Sequence, residues 1–281
     1  MGKAGSLLEI TRPVNSVMLG LAIIVGAAIT GGAGILGEPL PLLYAFITGW
    51  ALTGASMAVN DYYDRDIDAV NEPGRPIPSG RVAPGEALFL TAVLSIAGLT
   101  TSYLVSPQAF AVAGFSWVVM MMYSAWGKRT GFPGNLMVST CIALPFVYGG
   151  VLTGNLTVSL SFSLMAFLSN TGREVAKGIV DVEGDRSAGV RTVAVSRGAG
   201  TASRVAAAFF VAAAASSVVP VYLGLVSLWY VPFVAATDLG LVHGAVSLVR
   251  GPSRENSRRV KNRVLYLMLV GLVGFAAGSL L

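Results

Sequence analysis

The sequence predicts an all-α, polytopic membrane protein: nine transmembrane helices in one bundle with cytoplasmic cap loops. Three observations carry that expectation. Of 281 residues, 54% are hydrophobic and only 12% are charged, against about 25% charged in a soluble domain. Apolar stretches of ~20 residues recur along the chain, and that length crosses about 30 Å of hydrocarbon. The connections between the stretches alternate sharply in charge.

The elements follow in order. The first span, 14–31, comes after Lys3 and Arg12, and the second, 41–60, runs into a segment carrying Arg65, Arg75 and Arg81. Spans 84–104 and 108–126 are joined through the uncharged 105–107. Lys128 and Arg129 precede span 134–153, and no Lys or Arg lies at 154–156 before span 157–178. Arg173, Lys177, Arg186, Arg191, Arg197 and Arg204 cluster around the connection to span 203–222. Residues 223–226 again lack cations before span 227–249, and Arg250, Arg254, Arg258, Arg259, Lys261 and Arg263 lead into span 262–281. Leu, Ala, Val and Gly dominate the spans, and Gly and Ala let helices approach closely in lipid.

All 19 Lys and Arg residues are used on one set of connections. The positive-inside rule then places the N-terminus and those connections in the cytoplasm and the C-terminus outside, which requires an odd number of spans. A multi-pass protein of the cell membrane, forming one domain over 1–281, is the expectation. The net charge of +5 is accounted for by basic loops that attract anionic headgroups. No span pairs stacked aromatics with a basic groove, so no nucleic acid is expected as a partner, and no obligate protein partner either. The N-terminal residues lack the apolar core of a cleavable signal. The lone Cys141 reads as a small core residue.

The chemistry concentrates in two acidic groups. Residues 60–68 read Asn-Asp-Tyr-Tyr-Asp-Arg-Asp-Ile-Asp. Asn60, Asp64 and Asp68 are spaced i, i+4, i+8 and share one helical face, because that spacing drifts only about 40° per step. Asp61 and Asp66 point elsewhere. The second group, Asp181-Val-Glu-Gly-Asp185, repeats the i, i+4 carboxylate spacing, with Glu183 off the face. Crowded carboxylates at two helix ends call for a cation, and oxygen-only donors suit Mg²⁺, which binds through one or two carboxylates plus substrate phosphates. One His and one Cys in the whole chain leave no nitrogen- or sulfur-rich set for zinc or iron. Asn60, Asp64, Asp68, Asp181 and Asp185 are therefore the candidate metal ligands.

Cations accompany both groups. Lys128, Arg75 and Lys177 are the catalytic candidates, since cations beside a diphosphate stabilise its departure. Arg173 and Arg191 are candidates for substrate binding. Asp238 lies within an apolar stretch, where an ionisable side chain is functional by default, and it is expected to line the polar cavity from a third direction. His243 reads as a packing or interfacial residue. Arg12, Pro13 and Asn15 are expected to face the cavity from the first span. The two acidic groups close the second and sixth spans, which brings them together across one bundle. The segments 61–83 and 179–202 contain helix signals and are expected to form short caps that exclude water.

Asn60-Asp61-x-x-Asp64-x-x-x-Asp68, followed by Arg75-Pro76 and then Asp181-x-x-x-Asp185, resembles the UbiA superfamily of intramembrane prenyltransferases. The resemblance covers essentially the whole chain. Asn170-Thr171-Gly172-Arg173-Glu174-Val175-Ala176-Lys177, running into Asp181, looks most like the archaeal digeranylgeranylglyceryl phosphate synthases of that superfamily. The resemblance implies two Mg²⁺ ions bridged by a substrate diphosphate, held by Asn60, Asp64 and Asp68 on one side and Asp181 and Asp185 on the other. It implies that Lys128, Arg75 and Lys177 withdraw the diphosphate, and that the ring face of Tyr123 steadies the allylic carbocation. The implied partners are a prenyl diphosphate and a lipid acceptor, geranylgeranylglyceryl phosphate. Two alternatives stay open: prenyl transfer to an aromatic acceptor in quinone or haem side-chain synthesis, and a secondary transporter using the aspartates for ions. Transporter sites sit near the bilayer midplane in broken helices, whereas these motifs lie at helix ends.

Overall fold

A computed structural model describes residues 2–281, and among them every regular element is helical. In chain order the α-helices are α1 (Lys3–Ile10), α2 (Pro13–Gly31), α3 (Pro39–Asn71), α4 (Pro84–Val105), α5 (Pro107–Ala125), α6 (Phe132–Thr153), α7 (Leu156–Val180), α8 (Val182–Ser187), α9 (Val193–Ser216), α10 (Val218–Tyr222), α11 (Tyr230–Arg250) and α12 (Arg254–Leu280). Two 3-10 turns, Ala33–Gly37 and Gly127–Thr130, lie between them. Proline opens α2, α3, α4 and α5, where its missing N–H is one the first turn leaves unpaired in any case. Side chains of Ser106, Asn155, Thr192 and Ser253 cap α5, α7, α9 and α12 by accepting a first-turn amide.

Eight helical stretches are long and apolar enough to cross a membrane. They match eight of the nine expected spans. The sixth expected span falls on α7, a 25-residue helix that is not among those eight. Its second half carries Ser169, Asn170, Thr171, Arg173, Glu174 and Lys177, so its composition is polar. It packs against α6, α9 and α12 inside the bundle, where neighbouring side chains replace lipid and polar groups are tolerated.

Several boundaries differ from expectation. α3 does not end at 60 but continues to Asn71, so the first acidic group lies wholly on helix. α9 begins at Val193 and absorbs ten residues expected to be loop, bending at Gly198, which has φ 80°. α12 begins at Arg254. Of the expected caps, 179–202 contains only the six-residue α8 before α9, and residues after Glu72 form turns that bring Arg75 back under α3.

In lipid the hydrophobic effect does not drive helix against helix, so close packing must. At the α2–α6 crossing, a Cβ added to Gly149 would meet the Gly26 carbonyl carbon at 2.4 Å, and one added to Gly26 would meet the Pro145 carbonyl oxygen at 2.8 Å. The backbones touch because neither glycine has a side chain. A second packing centre gathers Val175 and Ile179 of α7, Ala206 and Phe210 of α9, Leu241 and Leu248 of α11 and Val260 of α12. It holds the polar end of α7 in place.

Candidate active site

A polar cavity of about 120 Å³ opens where α5, α6, α7 and α9 converge, lined by Tyr123, Lys128, Asn135, Glu174, Lys177, Asp181, Asp185 and Thr192, among others. Its floor depends on one loop register. Gly131 has φ 73°, and a Cβ there would fall 2.1 Å from the Arg191 carbonyl oxygen. Only glycine lets the turn carrying Lys128 press against the segment carrying Thr192.

Lys128 joins the two acidic groups. Its ammonium donates to Asp64 Oδ1 on α3 while its side chain lines the cavity with Asp181 and Asp185. Burial, helped by the neighbouring Arg129 and opposed by Asp61, holds the Lys128 pKa down at about 8. Next along the same α3 face, Asp68 Oδ2 accepts from Arg75 Nη1 at 2.7 Å. Asn60 lies half-buried one turn earlier on that face.

On the far side Lys177 Nζ stands 3.5 Å from Glu174 Oε2, and Arg173 Nη1 donates to Glu174 Oε1 at 2.7 Å. Asp181 and Asp185 enter no ion pair among the described residues. Burial raises the Asp185 pKa above the ordinary carboxylate value, and Asp181 raises it further, while Lys177 and the Thr192 hydroxyl draw it back. Two neighbouring carboxylates relieved only in part by Lys177 are unfavourable as they stand, and a bound cation relieves them further.

That donor set fits Mg²⁺ in one specific way. No group of three or more His, Cys, Asp or Glu among the described residues is close enough to hold an ion alone. Asp181 and Asp185 offer two carboxylates on one side, and Asp64 and Asp68 are balanced by Lys128 and Arg75 on the other. Such pairs suit a hard cation that takes its remaining oxygens from substrate phosphates and water.

Not every expected residue joins the site. Asn15 is exposed in the first turn of α2 and does not line the polar cavity. The Arg191 side chain points out while its neighbours Val190 and Thr192 line the cavity. Asp238 is not a third wall of the polar cavity. It lines a separate apolar chamber of about 340 Å³ between α2, α6, α7, α9, α11 and α12, where its carboxylate accepts from Ser217 Oγ at 2.7 Å. Its helix, α11, contributes no residue to the lining of the polar cavity.

Four residues gain importance. Glu174 and Asn135 line the polar cavity. Asp61 does not point elsewhere as expected: seven residues before Asp68 it lies within about 20° of it around α3, buried at 6% side-chain exposure with Arg12 Nη2 at 2.8 Å and with Arg75 Nη1, which also binds Asp68, at 3.7 Å. Arg12 is the one non-glycine with positive φ among the described residues, at 47°, and its left-handed backbone turns the chain from α1 into α2. The adjacency Arg12-Pro13 is a signal for a chain reversal, but its pairing with Asp61 crosses 49 residues of sequence.

The α7 helix orders the two spaces. Met165, Ala166 and Ser169 line the apolar chamber, and Glu174, Lys177 and Asp181 line the polar cavity on the turns that follow. An intramembrane bundle with an apolar chamber leading to a polar cavity of paired carboxylates and cations is the architecture of an enzyme acting on amphiphiles with an anionic head. The chain belongs to the UbiA prenyltransferase family, whose model matches residues 18–273. It is 34% identical to the digeranylgeranylglyceryl phosphate synthase of Methanothermobacter thermautotrophicus, over 97% of this chain and 95% of that protein. A solved structure of digeranylgeranylglyceryl phosphate synthase superposes with a TM-score of 0.93 at 27% identity, covering 99% of both chains. The fold is shared by a UbiA homologue from Archaeoglobus fulgidus bound to GPP and Mg²⁺, at a TM-score of 0.64 and 17% identity, covering 96% of this chain and 99% of that one.

Proposed function

We propose that this protein transfers a geranylgeranyl group from geranylgeranyl diphosphate to geranylgeranylglyceryl phosphate, forming the second ether bond of an archaeal membrane lipid. The observation that carries the reading is Lys128, which binds Asp64 of the first acidic group and lines one cavity with Asp181 and Asp185 of the second. Full-length similarity to digeranylgeranylglyceryl phosphate synthases supports the acceptor.

Asn60, Asp64 and Asp68 on α3, and Asp181 and Asp185 beyond α7, would hold two Mg²⁺ ions with the diphosphate between them. Held by those residues, Mg²⁺ would supply positive charge to offset that of the leaving diphosphate. Mg²⁺ bound with GPP in the Archaeoglobus fulgidus homologue supports this choice of ion. Lys128, Lys177 and Arg75 supply further positive charge as the allylic C–O bond breaks and its electrons leave with the diphosphate. Tyr123 turns an aromatic ring into the same cavity, where a π face stabilises an allylic cation. The acceptor hydroxyl oxygen then bonds to the prenyl carbon, and its proton is lost to the departing diphosphate or to water. The apolar chamber holds the isoprenoid chain and opens laterally to lipid. The ninth span is α7, and the N-terminus and polar cavity face the cytoplasm.

The test incubates purified protein with geranylgeranyl diphosphate, Mg²⁺ and a panel of acceptors. Product is expected with geranylgeranylglyceryl phosphate and not with aromatic acids, and chelation with EDTA is expected to stop turnover. Prenylation of an aromatic acid alone, or no diphosphate release with any acceptor, would overturn the reading.

A further inference from the structure

Arg173 is held at one edge only. Its Nη1 donates to Glu174, while its Nε is buried without a hydrogen-bond partner. Nη2 enters none of the described hydrogen bonds either. A guanidinium has five donors in a rigid fork, and the Nε–Nη2 edge is the one that matches carboxylate or phosphate bidentately. Leaving a buried charged donor unpaired is costly, and a bound anion on that edge removes the cost.

The position of Arg173 says which anion. Ser169 lines the apolar chamber and Lys177 lines the polar cavity. Arg173 is four residues from each, so it lies on the same face of α7, about 6 Å along the axis from either. It lines neither space itself, but its level on α7 falls between the residues that line the apolar chamber and those that line the polar cavity. Lys128, Arg75 and Lys177 already answer the charge of the donor's diphosphate. The acceptor brings a second anionic head, and its glycerol joins that head to an isoprenoid chain, so its phosphate must lie where an apolar space meets a polar one. Glu174 is not a competitor for this role. It accepts at Nη1 and stands 3.5 Å from Lys177, which tethers one corner of the guanidinium and leaves the other edge for a ligand. The side chain keeps 22% of its exposure, so rotation about its last torsions presents that edge to the junction.

We propose that the Nε–Nη2 edge of Arg173 is the subsite for the phosphate monoester of the lipid acceptor, oriented by Glu174, and that it makes the enzyme select phosphorylated over unphosphorylated acceptors. The proposal rests on the reading of the protein as a prenyltransferase with a phosphorylated lipid acceptor.

The experiment compares the full-length wild type with Arg173→Gln and Arg173→Lys, using geranylgeranylglyceryl phosphate and geranylgeranylglycerol as acceptors. The wild type is expected to favour the phosphorylated acceptor in kcat/KM. Arg173→Gln is expected to raise KM for that acceptor about 10- to 100-fold, the value of a charged hydrogen-bonded contact, and to collapse the ratio between the two acceptors. KM for geranylgeranyl diphosphate is expected to stay within about twofold. Arg173→Lys keeps the charge but loses the fork, and should fall between the two. An unchanged ratio in Arg173→Gln, or equal losses in KM for donor and acceptor, would overturn the proposal. Equilibrium binding of geranylgeranylglyceryl phosphate without donor separates the two claims. Wild-type turnover with neither acceptor, alongside phosphate-dependent binding lost in Arg173→Gln, would sink the proposed reaction and keep the subsite. Binding that ignores the phosphate would sink the subsite. Melting temperatures identify any variant that fails to fold, and Arg173→Lys then decides the question.

Discussion

Asp185 lines the polar cavity, whereas Asp64 reaches it through Lys128, and the two differ in how they are balanced. Asp64 is met by Lys128, whereas Asp185 has only Asp181 beside it and partial relief from Lys177 and Thr192. Asp64→Ala and Asp185→Ala are each expected to abolish turnover while leaving the bundle folded, measured as product formation beside a melting curve. Full activity in either variant removes that aspartate from the metal site. Asp61 differs in being buried between Arg12 and Arg75. Removing one partner of a buried pair costs about 3–5 kcal/mol, and the half-exposed guanidiniums place Asp61→Asn below that range. A clear drop in melting temperature is expected for Asp61→Asn and almost none for Asp66→Asn, whose side chain is 87% exposed. Equal melting temperatures would show that the Arg12 pairing does not hold α2 to α3.

At the scale of elements, the α2–α6 crossing depends on absent side chains. Gly149→Leu forces apart two backbones that a Cβ alone would approach to 2.4 Å, so a loss of about 1–3 kcal/mol or more is expected, as in overpacked cores. Gly114→Leu, with nothing within 4 Å, is the matched control and should be near neutral by thermal unfolding. Helix α1 is held to the turn before α4 by charge, with Arg81 Nη2 donating to Glu9 Oε1 at 3.1 Å. That hydrogen bond lowers the Glu9 pKa below its ordinary 4.5. A depressed carboxylate contributes its stability above the unfolded value and loses it as pH falls through the folded one. Protection factors in α1, exchange corrected for the intrinsic pH dependence, are therefore expected to fall below about pH 4.5, by a modest factor because the pair is partly exposed. Protection factors that are unchanged between pH 7 and pH 4 would mean the ion pair does not dock the helix.

At the scale of the whole molecule, orientation is the claim with the widest consequence, since it decides which side of the membrane supplies substrates. With Cys141 replaced by Ala, a cysteine introduced at the exposed Ser79 should react with a membrane-impermeant maleimide only from the cytoplasmic side. One at Leu228, 82% exposed at the opposite end, should react only from outside. The reverse pattern would invert the orientation drawn from the Lys and Arg distribution.

Much of the architecture is legible in the chain because its causes are local. A run of apolar residues declares a span wherever it occurs, the i, i+4 spacing of carboxylates places them on one face before any neighbour is known, and Lys and Arg record the side of each connection. The sixth span, expected at 157–178, falls on α7, whose polar second half keeps it below the hydropathy of the other eight and is accommodated by packing against α6, α9 and α12. Tertiary structure alone decided that Lys128 meets Asp64 across 64 residues, that Asp61 is buried against Arg12, that Asp238 faces the apolar chamber, and that Arg173 has one edge to spare. Each depends on which helices come to lie side by side, and that choice is made by close packing at glycines and small residues spread over the whole chain.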